Sequence, residues 1–328
     1  MVDAQTSTAT VNFNKTVQTL IEKRLEERLR APKPHLLPEN FIKATHGNGS
    51  SGTLRFLNVP DAVVDDAEVT ASLVVTEGVP NDSDDIVIGY EEFTTRQRMK
   101  TYKATDVAML QSMVRVMAEG ANVLSEYVLN LADRIAAIKI ASGTNVIFAG
   151  TGNTQTSEVA AGDLITSALV KRAVALLEGG MVPRFGDGFY RCILHPYVKF
   201  DFESDAEVGG WIDAQRYAGS TNLFSGEIGK FAGVRFVTST NARVLASSGT
   251  SSIDVYSTTI FGPRFFAIGD FGNNETFVTP PGGHDDPGHQ SALITWKGWV
   301  DAMLVGEGTS ATNVSPPRYI RLESASGI

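Results

Sequence analysis

The sequence predicts an α+β fold, and three observations predict it. Apolar residues recur at three- and four-residue spacing from Val107 to Ile138, the pattern of one long helix with a continuous buried stripe. Strand-like stretches rich in β-branched residues flank that helix on both sides: LRFLNV and EVTASLVV before it, IDVYSTTIF and ALITWKGWVDAMLV after it. Between them, Val208–Thr240 is rich in glycine and aromatics and almost free of catalytic side chains. Its Gly209-Gly210, Gly219, Gly226, Gly229 and Gly233 mark turns and close backbone approach. These features describe a chain that shapes backbone rather than placing a nucleophile.

Taken in order, residues 1–13 are Thr-rich and polar, as in an arm. Residues 14–30 read as an amphipathic helix with Val17, Leu20, Ile21, Leu25 and Leu29 on one face, ended by Ala31-Pro32. Pro32, Pro34 and Pro38 predict an extended, poorly attached segment after it, so the apolar face is a candidate either for the core of its own domain or for contact with a neighbouring subunit. Residues 53–100 read as long strands around a turn, with Asp82, Asp84 and Asp85 at its tip. That cluster lacks the regular ligand loop of an EF-hand.

The long helix is expected over 105–142, capped by Thr105 or Asp106 and ended by Gly143. At 1.5 Å per residue it would be about 55 Å long. A lone helix between strand-rich stretches suits a spine lying across a sheet better than a coiled coil. A small strand and a polar loop follow, and GTGNT in that loop lacks the GK[ST] of a phosphate-binding loop. Asp163 is the expected cap of a second helix closed by Gly179-Gly180. FYRCIL reads as a buried strand ending in a turn at His195-Pro196. Two strands broken at Gly262-Pro263, a long turn through PPGGHDDPGHQ and a last major strand complete the pattern, and the tail adds room for one short strand.

Composition narrows the function. The chain has 328 residues, 42% hydrophobic, and no apolar run nears the roughly 20 residues of a membrane span, so no membrane partner is expected. The start of the sequence lacks the apolar core of a signal peptide. Cys192 is the single cysteine, which excludes an intrachain disulfide and fits a reducing compartment. A net charge of −9 argues against tight sequence-specific nucleic-acid binding while leaving room for loose contact through one face. No nucleophile elbow, paired-cysteine or HExxH motif is present, so no catalytic residue and no cofactor is assigned. The one cluster of ligand-type side chains is His284, Asp285, Asp286 and His289, where a divalent metal would make a hydrolase; Pro287-Gly288 puts it on an irregular loop, and a plain loop is the preferred reading.

Four strings carry a resemblance: ILHPYVKFDFESD, AGSTNLFSGEIGKFAGVRFVTS, TTIFGPRFFAIGDFG and PPGGHDDPGHQSALITWKGW. With the order of elements, they resemble the major capsid proteins of tailed phages with the Hong Kong 97 type fold, in wording the coat proteins of N-four-type phages. The resemblance implies an N-terminal arm over 1–52 and an extended loop over 53–100 that lies on an adjacent subunit. It implies a peripheral domain from 101–160, with the spine helix, and 265–308, an axial domain over 161–264, and a C-terminal tail over 309–328. The implied function is self-assembly into hexamers and pentamers of an icosahedral shell around double-stranded DNA, held by non-specific contact. Decoration, scaffold and portal proteins are the further partners it implies, with the virion capsid as location and host cytoplasm as assembly site. A nanocompartment shell of the same fold is the alternative within that architecture.

Overall fold

The computed structural model describes residues 33–46, 51–58, 87–105, 116–205, 227–270, 275–280, 288–306 and 317–328. The expected helix over 14–30, the tip of the 53–100 excursion, most of the 208–240 glycine-rich stretch and the start of the long helix lie outside them.

Two larger sheets and one small one organise these residues. Strand β1 (Phe41–Lys43) runs parallel to β12 (Phe266–Asp270), which pairs with the far end of β14 (Ser291–Leu304). The first half of β14 is flanked on opposite edges by β5 (Gln97–Thr105) and β13 (Glu275–Thr279). Alternation along ALITWKGWV puts Ala292, Ile294 and Trp296 on one face, and all three are buried. Helix α1 (Val116–Ile140) covers that face: Ala121, Leu124 and Val128 pack against Ile294 and Trp296. The helix is therefore a spine across a sheet, as its pattern predicted.

One position of the stripe departs. Strict three-four alternation averages 3.5 residues per turn, and a straight helix drifts about 20° per heptad against it. By the last turns the buried positions are Ala136, Ala137 and Ile140, and Ile138 is 43% exposed. Gly143 closes the turn beyond the helix, its amide donating to the Ile140 carbonyl. A side chain there has no room, because its Cβ would stand 2.1 Å from the Tyr319 hydroxyl oxygen.

The second sheet has the order β6 (Val146–Phe148), β15 (Tyr319–Ser324), β11 (Val255–Phe261), β7 (Tyr190–Leu194), β9 (Val234–Thr238), β8 (Glu227–Phe231), with β10 (Val244–Leu245) beside β11. Helix α2 (Ser167–Gly179) buries Val170, Ala173, Val174 and Leu177 against it. Its cap is Thr166, whose side chain accepts from the Leu169 amide, and not the expected Asp163. The Asp163 carboxylate instead accepts from Asn153 and from the Ala160 amide, tying down the preceding loop.

His195-Pro196 is likewise more than a turn. Pro196 opens the short helix α3 (Pro196–Glu203), where a fixed φ and a missing N–H cost nothing, and His195 caps it by accepting from the Tyr197 amide. Val198 and Phe202 of α3 join the same core as Phe231, Val234 and Phe236.

The tail does supply a strand, and it lies inside the sheet between β6 and β11. Arg321 and Glu323 on β15 are both buried and paired at 2.8 Å. Arg321 also donates to the Gly143 carbonyl, and Glu323 accepts from Thr156. A strand in the interior of a sheet needs both neighbours, so this pair binds the end of the chain to the end of the spine helix.

The third sheet is β2 (Thr45–His46), β3 (Ser51–Asn58) and β4 (Val87–Thr94). Its hairpin stays in register from Ser51↔Thr94 to Asn58↔Val87, and it pairs with neither larger sheet.

Candidate functional site

The chain's distinctive chemistry is a buried polar node that joins three distant segments. Asp133, on the buried side of α1, is fully enclosed. His35 donates from Nδ1 to one carboxylate oxygen at 3.0 Å, and Asn241 donates to the other at 2.6 Å. Burial pushes the Asp133 carboxyl up, but the His35 hydrogen bond, the His35 charge and the Asn241 amide outweigh it and hold it below the usual carboxylate range. One helical turn earlier, Asn130 accepts from Lys33, and one residue later Arg134 reaches the Asn241 carbonyl.

Around the node, residues 33–46 are stitched to the body. Asn40 donates to the Pro34 carbonyl and closes the proline-rich bend. Arg191 pairs with Glu39, and the amides of Arg264 and Phe265 donate to the carbonyls of Glu39 and Asn40. Strand β1 then aligns with β12, with the rings of Phe41 and Phe266 5.9 Å apart. The expectation that the three prolines leave this segment poorly attached is therefore overturned from Lys33 onward. The course is not extended either: Pro34 and Pro38 each take the second position of a turn, closed by the Leu36 amide on the Lys33 carbonyl and the Asn40 amide on the Leu37 carbonyl, and the turns are held by polar contacts with residues nearly a hundred or more positions away.

Beside the node lies an open groove of about 590 Å³ between the root of β4, β5, α1 and the end of β14. Arg96, Arg98, Arg134 and Lys139 line it against Glu92 and Asp301, over a floor that includes Leu131, Ile135 and Met303. Arg98 stands 3.9 Å from Asp301 and donates to the Val300 carbonyl. The sheet face turned away from α1 exposes Met99 and Phe277, with Thr101 and Thr295 hydrogen-bonded across it at 3.0 Å.

Of the metal candidates, His284, Asp285 and Asp286 lie outside the described residues, and His289 is exposed on the turn before β14 with a φ of 53°. Among the described residues no three His, Cys, Asp or Glu side chains come together as a metal would need. The GTGNT loop holds no phosphate cradle: Gly150 packs beside the Asp163 carboxylate, the wrong charge for one. Asp201 and Asp205 beside it accept from the Gly327 and Ser167 amides. The buried Cys192 thiol is pushed far up by desolvation and stays protonated. The assembly candidates Val17, Leu20, Ile21, Leu25 and Leu29 lie outside the described residues.

A family model described as phage capsid protein matches residues 91–269, more than half of the sequence, including the spine helix and most of the seven-stranded sheet. The chain belongs to the phage capsid protein family. Solved structures agree with the fold. The capsid of Ralstonia phage GP4 matches with a TM-score of 0.61 at 12% identity, over 85% of this chain and 84% of that one. The capsid asymmetric unit of cyanophage Pam1 matches at 0.59 and 13%, over 85% and 86%. The capsid of cyanophage P-SCSP1u matches at 0.59 and 13%, over 88% and 86%. No curated protein sequence matches significantly. The chain thus has the Hong Kong 97 type fold and is a major capsid protein, a structural subunit of a tailed-phage virion shell. The node was invisible in the sequence because His35, Asp133 and Asn241 share no motif. Only a lone acid on the apolar side of a helix hinted at it.

Proposed function

We propose that this capsid protein assembles into hexamers and pentamers of an icosahedral shell that encloses double-stranded DNA, in the manner of N-four-type coat proteins. The observation that carries the reading is the family match laid over a fold in which one hairpin pairs with neither larger sheet. The sheet under α1 serves as the peripheral domain, and the seven-stranded sheet with α2 and α3 serves as the axial domain. That sheet also includes β6 and β15, so the axial unit draws on residues 146–148 and on the tail as well as on 161–264. Residues 1–52 act as the arm and 53–100 as the loop over a neighbour. The face Val17, Leu20, Ile21, Leu25 and Leu29 docks on an adjacent subunit.

The protein does no chemistry in this reading, and its acids and histidines position backbone. Assembly takes place in host cytoplasm, with scaffold, portal and decoration proteins as partners, and DNA is contacted without sequence preference. Electron microscopy of purified particles, with their nucleic-acid content, tests it. Closed shells holding DNA are expected; shells holding only protein cargo would make the particle a nanocompartment instead.

A further inference from the structure

We propose that the basic end of the seven-stranded sheet is the surface that meets the phosphate backbone of packaged DNA. The inference rests on the shell reading and adds which residues touch the genome. Topology gathers arginines at that end of the sheet. Strands β7, β9 and β15 begin there at Tyr190, Val234 and Tyr319, and β11 and β8 finish there at Phe261 and Phe231. The adjoining residues bring in Arg184, Arg191, Arg264 and Arg318. Their segments meet at Gly262, whose amide donates to the Arg318 carbonyl at 2.9 Å. A Cβ there would stand 2.7 Å from the Pro183 carbonyl oxygen, and the neighbouring Phe261 pairs with Arg191.

The charge at this end is unbalanced. Its acids are already engaged: Glu178 with Arg184, Glu39 with Arg191, and Asp187 with Arg235. Arg264 and Arg318 have no ion-pair partner among the described residues, although the whole chain carries −9. Arg264 is exposed on a backbone with a φ of 56°, a conformation that suits glycine and strains most side chains. The fold accepts that strain and still places a guanidinium in solvent there. Beneath it Phe185, Phe261 and Phe265 are buried, so the surface offers guanidinium groups and backbone, Met181 apart, rather than an apolar centre. A protein partner would need that centre. A phosphodiester backbone needs only placed cations, and the planar guanidinium fork matches its oxygens. Two surplus arginines per copy give a loose contact without sequence preference, repeated in every copy of the shell.

The test titrates fluorophore-labelled duplex DNA of mixed sequence with the full-length chain, unassembled, and reads binding by anisotropy at several salt concentrations. Arg264→Gln with Arg318→Gln should make the slope of log affinity against log salt shallower by about 2, roughly one for each lost phosphate contact. The free subunit's melting temperature should not move. Arg96→Gln with Lys139→Gln, which removes two cations from the groove beside the node, should leave the slope as it was. In particles, phenylglyoxal modifies accessible arginines and mass spectrometry reads the sites. Arg264 and Arg318 should be protected in DNA-filled particles and reactive once the particles are emptied and treated with nuclease. A wild-type chain that binds no duplex at low salt, an unchanged slope, or an equal loss from the groove variant would overturn the proposal. So would equal reactivity in filled and emptied particles, and protection in both would assign the patch to a neighbouring subunit. Each of these results leaves DNA-filled shells in existence, so the shell reading stands. A wild-type chain that forms no DNA-holding particle removes both.

Discussion

Asp133 is where single residues matter most. Removing His35 leaves a buried carboxylate without its main partner, and His35→Ala should cost about 3–5 kcal/mol. Asp133→Asn, which keeps the shape and loses the charge, should cost less, and thermal melts of the two variants side by side check the order. The pH dependence follows from the same geometry. A carboxyl held below its ordinary value when folded adds stability above its unfolded pKa of about 3.9 and loses it as pH falls through the folded value. His195 adds to the acid side, because burial lowers its pKa and its cap needs a neutral ring that accepts from Tyr197. Its contribution is full above about pH 6.5 and declines below. The free subunit's melting temperature should therefore fall on acidification, and His195→Asn, which retains a capping side chain, should flatten the part below about pH 6.5. An unchanged slope would show that His195 does not titrate with folding. Gly143→Ala would drive a methyl into Tyr319 and should cost about 1–3 kcal/mol.

Among the elements, α1 and β15 carry the most. Leu124 is fully buried between the spine and Trp296, and Leu124→Ala should cost about 2–5 kcal/mol, read by denaturant melts. Deleting 317–328 removes an interior strand together with the Arg321–Glu323 pair and should leave insoluble protein; a soluble, folded product would show that β15 is dispensable. Deleting 1–30 should leave a soluble subunit that assembles poorly, whereas deleting 1–46 also removes His35 and β1 and should abolish folding. Elements with strong local patterns were legible in the sequence. The spine announced itself through Leu124, Val128 and Ile135, and β14 through the alternation around Trp296, because periodicity records which face is buried. The tail and the arm were not legible to the same degree. Tyr319–Ser324 has too few residues for its pattern to tell an interior strand from an edge, and the attachment of residues 33–46 depends on partners such as Asp133 and Arg191 that no local window contains. Thr166 displaced Asp163 as the α2 cap for a related reason. Asp163 was already committed to Asn153 and the Ala160 amide, a choice made by tertiary structure.

At the scale of the whole molecule, one apolar cluster joins the two larger sheets, with Ile193, Phe261 and Tyr319 of one packed with Phe266, Ala302 and Leu304 of the other and with the end of the spine helix, while the hairpin pairs with neither sheet and apolar side chains such as Met99 and Phe277 are exposed. A subunit built this way stands folded on its own interior and uses its outer surfaces for copies of itself. The chain's family and fold make it a capsid protein, and the central claim that follows is self-association into closed particles. Size-exclusion chromatography with light scattering of the full-length chain, over a range of concentrations, tests that claim most directly. Species of capsomer mass that pass into megadalton particles as concentration rises are the expected result; a single species of one-chain mass at every concentration would contradict it.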